Sequence, residues 1–224
     1  MRTYSFDSKQ AEKAESDGRG IHTTGAYILN ILQCAAETSP KSDSKAEWLT
    51  FVLGTQDGTK VITRLVTAKS DGTDAFGLAI FQSLMGLLGI QACEPKPMKV
   101  YSLNGASEDG YRITAVEKKQ IGVLLQYVED KDKDGYARLN DKNFPRYQMV
   151  CKAFFDPKTR QTFSEKKDGK PAKRIDYLLT KLQDEHAPVR AGDGFESAPH
   201  QPTAAAPVTQ QAQPEQFIDD PIPF

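Results

Sequence analysis

Glu47-Trp48-Leu49-Thr50-Phe51-Val52-Leu53, then Gln56-Asp57-Gly58-Thr59, then Lys60-Val61-Ile62-Thr63-Arg64-Leu65-Val66-Thr67 is the stretch that decides the fold. Two runs rich in β-branched and aromatic residues flank an Asp-Gly turn, which is the sequence form of a β-hairpin. Period two splits each run into two faces. Leu49, Phe51 and Leu53 line one face of the first run, and Val61, Thr63 and Leu65 line one face of the second. These are the core faces. Opposite them stand Trp48, Thr50 and Val52, and Lys60, Ile62, Arg64 and Val66. The only Trp of the chain and two cations therefore point away from the core.

Upstream of the hairpin, Tyr27, Leu29 and Ile31 alternate with Ile28, Asn30 and Leu32, a strand apolar on both faces. Ser39-Pro40-Lys41-Ser42-Asp43-Ser44 is a loop. Downstream, Ser70-Asp71-Gly72-Thr73-Asp74 ends the meander. Phe76, Ile80, Leu84, Leu87 and Leu88 then recur at helical spacing, with Thr73 or Asp74 as cap and Gly89 as stop. Residues 91–112 are mixed and rich in Pro and Gly, with a short edge strand at Lys99 to Leu103. Gln120 to Val128 and Arg146 to Phe155 read as two further strands, the second closed by Asp156-Pro157-Lys158. A helix follows near Ala172 to Gln183, with Ile175, Leu178, Leu179 and Leu182 on one stripe. Three strands, a helix and two strands predict a mainly β domain: a five-stranded OB-type barrel with one or two helices. Another small barrel or a half-open sheet is the alternative.

A protein that stacks unpaired bases needs exposed rings and cations on one face. In the last strand, Tyr147, Met149, Cys151 and Ala153 oppose Arg146, Gln148, Val150, Lys152 and Phe154. Trp48, Lys60, Arg64, Arg146, Lys152 and Phe154 are thus the candidate DNA-binding residues. Each has a plainer reading, since rings in strands are usually core and outward cations are usually just solvated. Tyr127 falls on the Ile121/Val123/Leu125 face and is expected in the core. Lys158 and Arg160 are placed to touch phosphates. Lys166, Lys167, Lys170, Lys173 and Arg174 read as a solvated connection.

Beyond about residue 186 the composition changes. Residues 198–216 hold no Lys or Arg, one acid, and many Ala, Pro and Gln, so they cannot offset ordering entropy and are expected to be disordered. Residues 186–224 would span on the order of 35 Å as a coil. They carry one basic and five acidic residues, which leaves 28 basic and 25 acidic residues in 1–185. A mildly basic body with an acidic tail suits a polyanion binder whose tail stays off the polyanion. The organisation is a polar arm at 1–24, a domain at 25–185, a linker at 186–216 and a tip at 217–224.

That tip, Phe217-Ile218-Asp219-Asp220-Pro221-Ile222-Pro223-Phe224, is apolar, doubly acidic and ends in a free-carboxylate Phe. Its form suits presentation to a basic-rimmed pocket on a partner. Asp219-Asp220-Pro221-Ile222-Pro223-Phe224 resembles the acidic tip of bacterial single-stranded-DNA-binding proteins, which end in several Asp followed by Ile-Pro-Phe. The resemblance implies that the domain coats single-stranded DNA. It also implies that Asp219, Asp220, Ile222, Pro223 and Phe224 recruit replication, recombination and repair enzymes. Pro221 interrupts the usual junction, and only two Asp are present. The body departs from the bacterial domain and is similar, through Gly25-Ala26-Tyr27, the hairpin and the helix at 74–89, to divergent phage-encoded single-strand binders.

Asp130-Lys131-Asp132-Lys133-Asp134-Gly135 with Asp141 matches the spacing of a calcium loop. The short Asp at the last position, the preceding strand and Pro145 favour a hairpin loop instead. There is no phosphate-cradling Gly-Lys-Ser/Thr motif, no nucleophile elbow and no defensible Cys-His pair, and three dispersed His form no metal cluster. No enzyme and no cofactor is expected. Cys34, Cys93 and Cys151 lie in apolar stretches and read as buried thiols of a reducing cytoplasm, the host's if the chain is phage-encoded. The expectation is a non-enzymatic single-stranded-DNA-binding protein. Its rivals are a protein-interaction adaptor, a nuclease and a strand-annealing recombination protein.

Overall fold

The computed structural model describes residues 21–101, 106–140 and 145–182. Seven strands are joined in one sheet: β1 (Gly25–Thr38), β2 (Glu47–Gly54), β3 (Lys60–Ala68), β4 (Lys96–Tyr101), β5 (Ser107–Arg112), β6 (Gln120–Glu129) and β7 (Tyr147–Phe155). Three helices accompany them: α1 (Phe76–Leu87), α2 (Phe163–Lys167) and α3 (Arg174–Lys181).

The sheet is organised around β1, which is long enough to take two partners on one edge. Its Gly25–Asn30 segment pairs with β6, and Ala35 and Ala36 pair with β5, while β2 runs along the other edge. All these pairings are antiparallel, as are β2–β3, β4–β5 and β6–β7. An extra residue at Leu32 interrupts the β1–β2 register between Ile31 and Gln33. A single inserted residue reverses which side chains face in. Ile31 and Cys34, three apart, therefore both lie in the core.

The expected five-stranded OB-type barrel is not formed. The end strands β3 and β7 approach each other without sharing a ladder, so the sheet is open and the domain is mixed α/β. Where they meet, the Cys151 N–H donates to the Thr63 hydroxyl at 2.9 Å, a side chain standing where a strand carbonyl would close a barrel. The polar 96–112 segment, read as largely irregular, supplies both strands of a hairpin whose β5 extends the sheet beyond β6.

The core lies on the inner face. Leu29, Ile31, Phe51, Leu53, Val123 and Leu125 meet Ile80, Phe81 and Leu84 of α1. On the opposite face, Leu124, Phe155 and Ile175 form a second cluster that seats α3. Gly122 makes room for it, because a Cβ there would stand 2.2 Å from the Phe155 ring. Glu165 holds the two last helices together. Its carboxylate accepts from the Thr162 N–H and hydroxyl (both 2.9 Å), the Lys173 N–H (2.8 Å) and the Arg174 N–H (2.7 Å). It satisfies donors at the starts of both α2 and α3.

Phe76 was expected on the packed stripe of its helix. The buried residues of α1 are Gly77, Ile80, Phe81 and Leu84 instead, and Phe76 is 79% exposed. The 130–146 loop is a hairpin extension, with Lys131 bridged to Ala137 and Leu139 to Pro145. Asp132 accepts from the Asp134 and Tyr136 N–H groups at 2.9 and 3.0 Å, so its carboxylate shapes a turn. Among the described residues no group of three or more His, Cys, Asp or Glu is placed to hold a metal. None of their helices is long and apolar enough to cross a membrane. Cys34 and Cys151 are buried and Cys93 half-buried, all as free thiols, and burial pushes each thiol pKa up.

Candidate nucleic-acid interface

The register of β1, β2 and β3 lays out the outer face in rows. Residues opposite one another in an antiparallel pair share a face. Glu37, Trp48 and Val66 form one row, Ala35, Thr50 and Arg64 the next, and Gln33, Val52 and Ile62 the third. Asn30, Gly54 and Lys60 follow. Ile62 and Val66 are exposed and alternate with the exposed cations Lys60 and Arg64.

Trp48 is held in place by its neighbours. Its indole N–H donates to Glu37 Oε2 at 2.7 Å. The Arg64 guanidinium lies 5.2 Å from the Trp48 ring centre, its Nε donates to Thr50 Oγ1 at 3.3 Å, and its terminal nitrogen is 3.6 Å from Glu37. A cation over an indole contributes on the order of 0.5–1 kcal/mol at an exposed site. The four side chains pre-orient a ring and a positive charge side by side, which lowers the entropy lost on binding a base and its phosphate.

Lys152 joins this surface across the β3–β7 seam. Thr63 and Cys151 are level there, so the next residues along these strands, Arg64 and Lys152, flank the seam together. Lys152 is also the extra residue of a bulge, since Leu125 pairs with Cys151 and Leu124 with Ala153. That bulge corrects the expectation for Phe154. Met149 and Cys151 face in before it, and the reversal sends Phe154 in after it. Phe154 is 1% exposed and packs against Phe51 with ring centres 5.8 Å apart, so it stacks on the core and not on a ligand.

Arg146 is exposed but sits at the base of the 130–146 hairpin, where its N–H donates to Arg138 O and its carbonyl accepts from Asp130. It is outside the Trp48–Arg64 group. Tyr127, expected in the core, is half-buried and stacks on Tyr147 with centres 4.7 Å apart and planes 9° from parallel. Burial, then a hydrogen bond with Glu129, pushes the Tyr147 phenol up to about 12. Arg160 is engaged with Asp176 at 2.9 Å and lies over Phe155, a structural role. Lys166 and Lys170 are paired with Asp156 and Asp168. The tip residues Asp219, Asp220, Ile222, Pro223 and Phe224 lie outside the described residues.

Two features of this surface were not legible in the sequence. Glu37 reaches Trp48 only because the Leu32 bulge sets the β1 register. The β4–β5 hairpin borders the outer face because the Gln33 side chain, buried at 5% exposure, acts as a strand partner. Its amide NH₂ donates to Tyr101 O at 3.1 Å and its carbonyl oxygen accepts from the Tyr101 N–H at 2.9 Å. The hairpin base is fixed by Arg112 against buried Glu117 at 2.6 Å, with Glu117 also accepting from the Cys34 N–H. Beside Trp48 a cleft of about 1000 Å³ opens, its wall including Lys45, Trp48, Tyr111 and Ile113. Comparison of the chain with protein-family models and with curated protein sequences finds no match.

Proposed function

We propose that the chain binds single-stranded DNA without strong sequence preference and that its C-terminal tip recruits enzymes of replication, recombination or repair. The observation that carries the first half is the Arg64 guanidinium over the Trp48 ring, on an exposed sheet face that also bears Lys60, Ile62 and Lys152. A ring takes any base, and adjacent cations take the phosphates, so the surface reads stacking and charge and not base edges. The tip carries the second half, through its likeness to the acidic Ile-Pro-Phe ends of bacterial single-strand binders. Trp48, Arg64, Lys60 and Lys152 are the binding residues of this reading. Phe154 has no part in it.

Trp48 is the only Trp, so its fluorescence reports the site directly. Titration with poly-dT at two salt concentrations is the test. Quenching is expected, with affinity that falls as salt rises. Each neutralised phosphate contributes about −0.7 to the slope of log K against log salt on a single strand. A protein whose sheet docks another protein would show neither quenching nor a slope, and metal-dependent loss of the oligonucleotide would indicate a nuclease.

A further inference from the structure

We infer that Phe76 is a second base-stacking ring, one strand beyond Trp48. The inference rests on the proposed single-strand reading and adds a position to it. After β3 the chain turns and returns along the β3 edge. The Lys69 N–H donates to Thr73 O at 2.8 Å, Ala68 bridges Asp74, and the Ala75 N–H donates to Thr67 O at 2.9 Å. That register, advanced one step, sets Phe76 opposite Val66. Val66 is itself opposite Trp48 on the outer face. One row therefore reads Glu37, Trp48, Val66, Phe76.

Gly77 explains why the ring stays out. A Cβ on Gly77 would lie 2.3 Å from Val66 O, so the glycine lets the first turn of α1 rest directly on the β3 backbone. The residue before it is left at the rim, where Phe76 is 79% exposed and Val66 47%. Lone exposed apolar residues are common. A ring aligned with an exposed valine and a cation-braced indole is a continuous surface. Adjacent strands lie about 4.8 Å apart, so Trp48 and Phe76 stand on the order of 10 Å apart with Val66 as the floor between them.

The charges favour a nucleic acid strand as occupant. Arg64 lies one row away on β3, and Lys152 flanks it across the seam. Asp71, in the neighbouring turn, is engaged by the Thr73 N–H and hydroxyl at 2.9 and 2.7 Å. Bases would cross the Trp48–Val66–Phe76 row while phosphates follow Arg64 and Lys152. The path then runs across the strands, not along β3.

The test moves the fluorophore. In a Trp48→Phe/Phe76→Trp protein the indole introduced at position 76 should be quenched by a dT oligonucleotide. Phe76→Ala should weaken dT binding about fivefold or more, the low end for a lost stack, while Phe76→Tyr keeps it. Circular dichroism should be unchanged, because the ring supports no core. If the native protein binds dT but Phe76→Ala binds equally well and the new indole is not quenched, the inference is overturned and the parent reading stands. If sedimentation shows Phe76→Ala breaking a self-association without loss of affinity, the ring serves a copy of the chain, and the inference also falls. Failure of the native protein to bind dT overturns the parent reading and this one with it.

Discussion

Glu37→Gln should tighten the grip on single-stranded DNA, an unusual direction for a substitution inside a binding site. Glu37 has two jobs in the free protein. It accepts the Trp48 indole N–H at 2.7 Å, and it lies 3.6 Å from the Arg64 guanidinium. The amide oxygen of Gln can keep the first contact. The charge is lost, and with it a competitor for Arg64 and a repulsion toward phosphate. Coulomb's law at 3.6 Å gives about 1.2 kcal/mol at the dielectric constant of water and about 4.6 at an effective value of 20. The Arg64 and Glu37 side chains are 57% and 36% exposed, so the solvent-screened end applies. Exposed ion pairs contribute about 0.2–1 kcal/mol, which converts to binding tighter by about 1.4- to 5-fold. The assay is dT titration by Trp48 fluorescence, with Arg64→Ala as companion. That variant should weaken binding and reduce the magnitude of the salt slope by about 0.7. If Glu37→Gln binds more weakly while its indole emission is unchanged, Arg64 is not the phosphate contact and the electrostatic reasoning fails.

Deleting residues 217–224 should leave dT binding intact or tighter and abolish capture of partner enzymes; equal loss of both activities would contradict the division of labour. Gly122→Ala should destabilise the domain by about 1–3 kcal/mol in urea unfolding, since the new methyl meets the buried Phe155 ring; an unchanged midpoint would show that the ring can yield. Acid should loosen the last two helices. The Asp156 carboxyl is held down to about 2, first by the Lys166 hydrogen bond, so its contribution is full above the ordinary value of 3.8 and lost as pH falls toward 2. Burial pushes the Glu165 carboxyl up, but the hydrogen bonds from Thr162, Lys173 and Arg174 outweigh it and the net shift is downward, so the sign is the same. Thermal melts from pH 6 to 2 should show stability falling on the acid side, with a shallower fall in Glu165→Gln. An identical fall in that variant would remove Glu165 from the effect.

Much of the secondary structure was legible because its signals are local. The Asp-Gly turn between two alternating runs defined β2 and β3, and the 3.6-residue period defined α1 and α3. The exposed positions of Trp48, Lys60 and Arg64 followed from alternation, because β3 carries no bulge at these positions. The β4–β5 hairpin was half missed, because its strands are held by Gln33, Arg112 and Glu117, polar residues far apart in the chain. Its two strands bury almost no apolar surface, so period-two patterning had nothing to report. Phe154 was misread for a different reason. A bulge inserts one residue and leaves no mark in composition, yet it reverses every face beyond it.

The order of strands and helices, the outward Trp beside its cations, and the acidic apolar tip are written in the sequence itself, since each depends on neighbours only a few residues away. Whether the sheet closes, which ring of β7 turns inward, and that Phe76 comes to stand in line with Trp48 were decided by tertiary structure. Those outcomes depend on register between strands distant along the chain, and register is set when surfaces pack, one residue at a time.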